Sequence, residues 1–232
     1  MQQSVTKLLK GGSVNARDGG IGSVKDVYFD DREWKVRFVI VDTGNWLAGR
    51  QVAIPSTSVH PAEGGNVTVD LTREQVEHAR PAADTPTASN LEEQAREKRR
   101  GDTVLYSFPM GWGGSIVTPA IPGSPELRHT TEQTDREARA LEARAGETHL
   151  RSANEVVGYA IHATDGRVGH VDDLLIDDGN WSVNGLVVDT REWWPGGQVA
   201  IPATEVNSID WEKREIRLRM SQAEVKAGSD AP

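Results

Sequence analysis

The sequence predicts an all-β fold with minor helices, in which two small antiparallel β-barrels are joined by a partly helical linker. The first observation is a repeat: VDTGNWLAGRQVAIP at 41–55 returns as VDTREWWPGGQVAIP at 188–202, with ten of fifteen positions unchanged. The second is that short strand-like runs separated by turn residues surround both stretches. A repeat of this kind indicates a duplicated structural unit. Numerous short strands avoid open sheet edges by closing into a barrel.

Chain length is consistent with this organisation. At 232 residues the chain exceeds one typical domain, so two modules and connecting material are expected. We place an N-terminal barrel at 1–80, a linker at 81–149 and a C-terminal barrel at 150–226. Each repeat holds a complete strand set, and we therefore expect each barrel to fold independently.

The strands follow in the same order in both copies. Residues 14–59 align without a gap onto 161–206, and about half of the pairs are identical. Each copy begins with an Asp-Gly turn, which favours a tight hairpin. Three predicted strands follow in each copy: SVKDVYFDD, WKVRFVIVD and QVAIP in the first, and HVDDLLIDD, WSVNGLVVD and QVAIP in the second.

Each copy also ends in a predicted short helix. Thr72-x-x-Gln75 and Ser221-x-x-Glu224 are capping-box patterns, in which two side chains satisfy backbone N–H groups at a helix start. Both patterns come directly after an alternating strand. A short helix is therefore expected to close each barrel.

The linker combines predicted helices with an apolar segment. LEEQAREKRR is expected to be a helix capped by Ser89 or Asn90, and TTEQTDREARALEARAG a helix ending at Gly146. Both are interpreted as solvated linker helices. TVLYSFPMGWGGSIVTPAIPG lies between them and either packs onto a barrel, the interpretation we favour, or presents an interaction surface.

Two matching carboxylates invite two interpretations. Asp26 and Asp173 lie inside apolar strands, where paired carboxylates could serve acid–base chemistry. The apolar register changes beside them, and this favours β-bulges in which Asp accepts backbone N–H bonds. The pairs Asp30-Asp31 and Asp177-Asp178 could bind a hard cation, but without an EF-hand ligand pattern they are better interpreted as turns.

No other motif predicts catalysis, a metal site or a cofactor site. The six histidines are scattered and the chain has no cysteine, so neither residue type forms a metal-binding pattern. GGIG at 19–22 lacks the features of a dinucleotide fingerprint. We therefore expect a protein that is not an enzyme and takes no cofactor or metal.

Aromatic and apolar residues are the candidate partner-binding groups. Trp34 matches Trp181 and Trp46 matches Trp193, so these four have a first explanation in the shared fold. Trp194 is extra, and one of two adjacent indoles is expected to reach the surface or the neighbouring module. The proposed binding residues are Trp193, Trp194, Tyr106, Phe108, Met110 and Trp112.

Charge and hydropathy restrict the partners. A net charge of -9 argues against direct nucleic-acid binding, which depends on clustered Lys and Arg. No window approaches the length of an apolar membrane span, and the N-terminus lacks a signal-peptide core. We expect a soluble cytoplasmic protein whose partner is a protein or peptide.

The run DGRVGHVDDLLIDDGNWSVNGLVVDTREWWPGGQVAIP resembles the PRC-barrel domain of photosynthetic reaction-centre H subunits and of a ribosome-maturation factor. Its D-G-x-[IV]-G, D-D-x-x-W and V-A-I-P elements occur in both copies, and the resemblance covers 4–77 and 150–222. It implies a small antiparallel barrel used for docking, without common catalytic residues. It further suggests a non-enzymatic protein- or peptide-binding adaptor in bacteria, in a stress-response setting. The alternative is RNA processing or ribosome maturation through protein contacts.

Overall fold

The computed structural model describes residues 2–9, 12–47, 49–62, 65–100, 105–110, 114–119, 125–191 and 197–229. Within these ranges it confirms the predicted fold class. The strands form two seven-stranded sheets, one built mainly from each repeat, and a separate two-stranded sheet. No helix in this part of the chain is long and apolar enough to cross a membrane.

The first barrel has its long strands at one side and its short strands at the other. The elements of this repeat are β1 (Gln2–Ser4), α1 (Val5–Leu9), β2 (Ser13–Ala16), β3 (Gly19–Asp30), β4 (Lys35–Asp42), β5 (Gln51–Pro55), β6 (Val59–Pro61), β7 (Val67–Val69) and α2 (Arg73–Glu77). The spatial order is β5-β4-β3-β2-β7-β6, with β2 and β7 parallel. Gly22 lets β3 approach β4, because an added Cβ would lie 1.9 Å from the carbonyl oxygen of Asp42.

The linker forms its own compact unit, Pro86–His149. It contains α3 (Ala88–Arg100), β8 (Leu105–Met110), β9 (Gly114–Pro119) and α4 (Pro125–Glu147), with β8 and β9 paired as a hairpin. Both predicted helices are present, but α3 begins earlier than expected. Thr87, rather than Ser89 or Asn90, caps it by accepting from the backbone N–H of Asn90 at 3.3 Å. The two helices contact each other, and Ala95 of α3 and Ala138 of α4 are fully buried. The helices are therefore packed together as well as partly solvated.

The second barrel repeats the first. Its elements are β10 (Leu150–Ser152), α5 (Ala153–Val156), β11 (Ala160–Ala163), β12 (Gly166–Asp177), β13 (Val183–Asp189), β14 (Gln198–Pro202), β15 (Val206–Asp210), β16 (Glu215–Leu218) and α6 (Gln222–Ser229). The order is β14-β13-β12-β11-β16-β15. Both predicted capping patterns are present, since Thr72 and Gln75 bond reciprocally at α2 and Ser221 and Glu224 do so at α6.

Each barrel receives one strand from the other repeat. The first strand, β1, pairs antiparallel with β12, and the equivalent strand β10 pairs antiparallel with β3. The helices that follow are exchanged in the same way, since α1 contacts β12 and α5 contacts β3. The same surface of each copy thus meets the same element of the other, an intramolecular version of an isologous contact.

The exchange joins the two barrels into one compact unit with a continuous hydrophobic core. That core includes Leu8 and Phe29 of the first repeat together with Val156 and Ile176 of the second. Either repeat alone would lack one strand and one helix of its barrel and would expose their apolar contacts. The structure therefore argues against the expectation of independent folding, which rested on each repeat holding a complete strand set and a closing helix.

Candidate functional site

Asp26 and Asp173, the carboxylates with two competing interpretations, follow β-bulges. The β3–β4 register shifts just before Asp26, and the β12–β13 register shifts just before Asp173. Each Oδ1 accepts from the backbone N–H of the next residue at 2.7 Å. The predicted bulges and their backbone bonds are confirmed.

The same two carboxylates also bind the exchanged segments. Asp26 accepts from Ser152 Oγ at 2.6 Å and from the backbone N–H of Asn154 at 3.2 Å, where α5 begins. Asp173 accepts from the hydroxyl of Ser4 and, at 2.7 Å, from the backbone N–H of Thr6, where α1 begins. Acceptors at these positions satisfy N–H groups that a helix start leaves unpaired. The partners come from the opposite repeat, which is why sequence reasoning missed this second role.

Burial gives Asp26 an unusual titration. Desolvation raises the pKa of Asp26, and the bonds from Ser152, Asn154 and Val27, which favour the charged form, offset it only in part. A raised carboxyl pKa alone is compatible with an acid–base role. Here, however, the acceptor oxygens are engaged by the exchanged segment and by the bulge.

The two barrels meet along a seam at Trp34 and Trp181. Both residues accept backbone hydrogen bonds across this seam, and Trp181 also forms a side-chain bond across it. Val183 donates its N–H to the carbonyl of Trp34 at 2.7 Å, and Val36 donates to the carbonyl of Trp181 at 2.8 Å. The indole N–H of Trp181, only 6% exposed, donates to the carbonyl of Val59 at 3.2 Å. Trp34 and Trp181 are therefore structural, as the repeat predicted.

The acidic pairs form turns, and one of their members crosses the seam. Asp30 accepts from the backbone N–H groups of Arg32 and Glu33 at 3.0 Å each, which confirms the turn interpretation for that residue. Asp31 instead forms a nearly buried ion pair with Arg151 at 2.9 Å. In the part of the chain that the structure describes, no group of three or more His, Asp and Glu residues could hold a metal ion.

An open groove lies on the second barrel, beside the parallel pair β11 and β16. It has a volume of about 460 Å³ and is lined by His162, Ala163, Thr164, Gly166, Asn207, Arg217 and Leu218. His162 Nε2 and an Arg217 nitrogen each lie 3.9 Å from a carboxylate oxygen of Glu215. The side chains of His162, Asn207 and Arg217 give the groove hydrogen-bond donors. Sequence reasoning did not identify it, because its lining comes from three separated segments.

The predicted binding residues are only partly located. Tyr106, Phe108 and Met110 lie on β8 of the linker hairpin, where the structure describes the backbone path. Trp112, Trp193 and Trp194 lie outside the described residues. Their proposed role, and the predicted packing of the aromatic segment on a barrel, stay predictions.

Comparison with known proteins supports the repeat architecture. The family model described as the PRC-barrel domain matches residues 13–76 and 149–222, more than half of the chain. The second match begins at residue 149, directly before the exchanged strand β10. None of the curated proteins compared with the chain matches it.

Proposed function

Because the chain belongs to the PRC-barrel domain family and carries that domain twice, we propose that it acts as a non-enzymatic adaptor for a protein or peptide partner. In this proposal it takes no cofactor. Its binding surfaces are the outer faces of the joined barrels and the aromatic linker segment.

The observation that carries the proposal is the structural use of Asp26 and Asp173. These two carboxylates are the matched residues best suited to acid–base chemistry by sequence, and each accepts bonds from a bulge and from an exchanged helix start. Partnered in this way, they stabilise the joined barrels. Function is then expected on surfaces that remain open, such as the groove beside β11 and β16.

The proposed partner-binding residues remain those of the aromatic segment and the second barrel, namely Trp193, Trp194, Tyr106, Phe108, Met110 and Trp112. Aromatic residues are frequent anchors at protein interfaces. In the proposed mechanism the segment at 101–128 covers an apolar surface in the free protein and gives way to the partner's apolar peptide.

The setting we propose is the bacterial cytoplasm during stress, and its support is the family resemblance. The net charge of -9 supports a protein partner over a direct nucleic-acid partner. Ribosome maturation through protein contacts is the competing function, and the experiment below distinguishes it.

The test is quantitative affinity capture from a bacterial lysate, with and without nuclease, by the full chain, by a chain lacking 101–128 and by Trp194→Ala. We expect the same proteins in both nuclease arms, and altered capture by the two variants. A matched acidic protein controls for charge. Capture that disappears with nuclease would favour the ribosomal function, and capture no better than the control would overturn the adaptor.

A further inference from the structure

The first barrel covers the outer edge of β5 with its own chain. Beyond α2, the carbonyl of Arg80 accepts from the backbone N–H of Ala53 at 3.0 Å, and Pro81 forms an antiparallel bridge with Val52. Ala82 then packs against Ala53 and Ile40, both almost fully buried. The extended residues Arg80 and Pro81 therefore cover this edge with one hydrogen bond and one isolated bridge, and a short 3-10 helix (Ala82–Asp84) follows them.

A single arginine directs that segment. Arg50 donates from Nη1 to the carbonyl of Glu77 at 2.9 Å and from Nη2 to the carbonyl of Ala79 at 3.0 Å. The carbonyl of Glu77 is at the end of α2, where a helix leaves its last acceptors unpaired, and that of Ala79 lies two residues beyond it. Arg50 thus stabilises the point at which the helix stops and the chain crosses to β5.

The second barrel differs at the corresponding position. By the repeat alignment, Gly197 occupies the place of Arg50, so no side chain can bind the end of α6 in the same way. The capping patterns align Arg80 with Ser229, and α6 continues helically to that residue. The helix therefore occupies the positions that would have to extend along β14.

In the described part of the chain α6 packs on β14 beside Val199, where a Cβ at Gly228 would lie 3.9 Å from Val199 Cγ1, but the opposite face of the strand is exposed at Ala200. Ala53 is 3% exposed, whereas its counterpart Ala200 is exposed, and Val187, the counterpart of Ile40, is only half-buried. The strand registers match, since Ala53 opposes Ile40 and Ala200 opposes Val187. The N–H of Ala200 therefore faces outward, as that of Ala53 does.

A small apolar cavity lies next to this edge. Gly185 stands where the first barrel has Phe38, and a cavity of about 110 Å³ is lined there by Leu175, Asn184, Gly185, Ala200, Ile201 and Pro202. Phe38 packs on the Ile40 cluster of the first barrel. The second barrel thus lacks both the covering segment and one large side chain.

We propose that the open edge of β14 is a docking site for an extended peptide of a partner protein, in which a proline is followed by a small apolar residue. The residue before the proline accepts from the N–H of Ala200, as Arg80 does at Ala53. The small residue packs on Ala200, and a neighbouring apolar side chain enters the cavity beside Gly185. This inference rests on the proposed adaptor function and assigns its peptide site.

The chemistry of the ligand follows from the first barrel. Strand addition supplies main-chain bonds, and pockets for individual side chains supply selectivity. Proline restricts the preceding residue to extended conformations, which reduces the ordering cost of a bound strand. Proline also lacks an N–H group, so the peptide binds through flanking groups, as the Arg80 carbonyl already does.

The probe is the capped peptide HARPAADTP, which reproduces residues 78–86 and is titrated into the full chain by two-dimensional NMR. We expect shifts centred on Val199–Ile201 and Val187, and slower hydrogen exchange at Ala200. A peptide with Ala82→Lys should bind at least about tenfold more weakly, because its charged side chain would replace the small residue that packs on Ala200.

Two variants test the edge itself. Ala200→Pro removes the outward N–H and should therefore weaken peptide binding at least about tenfold. The strand itself should still form, because an edge strand tolerates proline on its open side. Ala200→Lys keeps the N–H but places a long charged side chain on the docking face, and it serves if the proline variant does not fold. Ala223→Pro, at an exposed position in the first turn of α6, is the matched control and should bind normally.

The following outcomes would overturn the site. The absence of shifts at Val199–Ile201 with millimolar peptide, or equal binding by both Ala200 variants, would remove the assignment. Ala200 protection without peptide that grows with protein concentration would identify a second copy as the occupant. Protection lost on deleting 230–232 would identify the chain's own terminus. If affinity capture persists in the Ala200 variants, the site fails while the adaptor function stands.

Discussion

Truncation of Trp181 is predicted to destabilise both barrels together. The side chain is 6% exposed, belongs to the common core and donates to the carbonyl of Val59. Truncating a buried tryptophan to alanine costs about 3–5 kcal/mol of folding free energy. Loss of the indole N–H also leaves the buried carbonyl of Val59 unpaired, which costs about 1–3 kcal/mol. Trp181→Ala is therefore expected in the upper part of the range of about 3–5 kcal/mol. For a unit of this size, the midpoint should fall by roughly 8–20 °C.

Trp34→Ala is the matched control. Trp34 has a φ of 50° and Trp181 a φ of 60°, so the backbone cost of a left-handed residue is shared by the two variants and cancels in their comparison. Trp34 is only half-buried and stacks on Phe29 with ring centres 5.9 Å apart. We expect Trp34→Ala to cost less than Trp181→Ala. Trp194→Ala, outside the described residues, should cost far less than either.

The assay is urea unfolding followed by far-ultraviolet circular dichroism, which does not depend on the tryptophan signal. Trp181→Phe separates the hydrogen bond from the bulk of the ring and should fall between the wild type and Trp181→Ala. A cost below about 1 kcal/mol for Trp181→Ala, or equal costs for Trp181→Ala and Trp34→Ala, would refute the seam role assigned to Trp181.

Three further predictions concern the exchange and the covered edge. Fragments 1–85 and 150–232 should unfold without cooperativity when separate and recover it when mixed; cooperative unfolding of both alone would contradict the shared core. The pKa of Asp26 is raised, so between the ordinary aspartate pKa and the folded value the native state binds more protons, and stability should fall as pH rises through that window. In chemical unfolding from pH 3 upward, Asp26→Asn should reduce this pH-dependent loss of unfolding free energy. An unchanged pH dependence would show that another group causes it. Arg50→Ala should release Arg80 and speed hydrogen exchange at Ala53, and unchanged exchange would show that Arg50 does not hold the segment.

Local sequence patterns determined the repeat, the strand order and the bulges. Alternating apolar positions fix which face of a strand is buried, and they act over a few residues. The Asp-Gly turns and the capping boxes at Thr72 and Ser221 are equally local, so both were predictable. The family resemblance rested on the same short-range elements.

The tertiary structure decided which copy each segment joins. Nothing in the pattern of residues 2–9 or 150–156 distinguishes pairing within a repeat from pairing between repeats, because both use the same backbone bonds. Chain geometry and burial choose between them, and the second role of Asp26 and Asp173 follows from that choice.

The difference between the two outer edges was also a tertiary result. The sequence shows that Gly197 in the second copy stands where the first copy has Arg50. The structural effect of this difference depends on where α2 ends and on the segment after α2 that lies along β5. A long-range bond from an arginine to helix-end carbonyls has no sequence spacing of its own. Only the folded chain shows that the central alanine is buried in one QVAIP strand and exposed in the other.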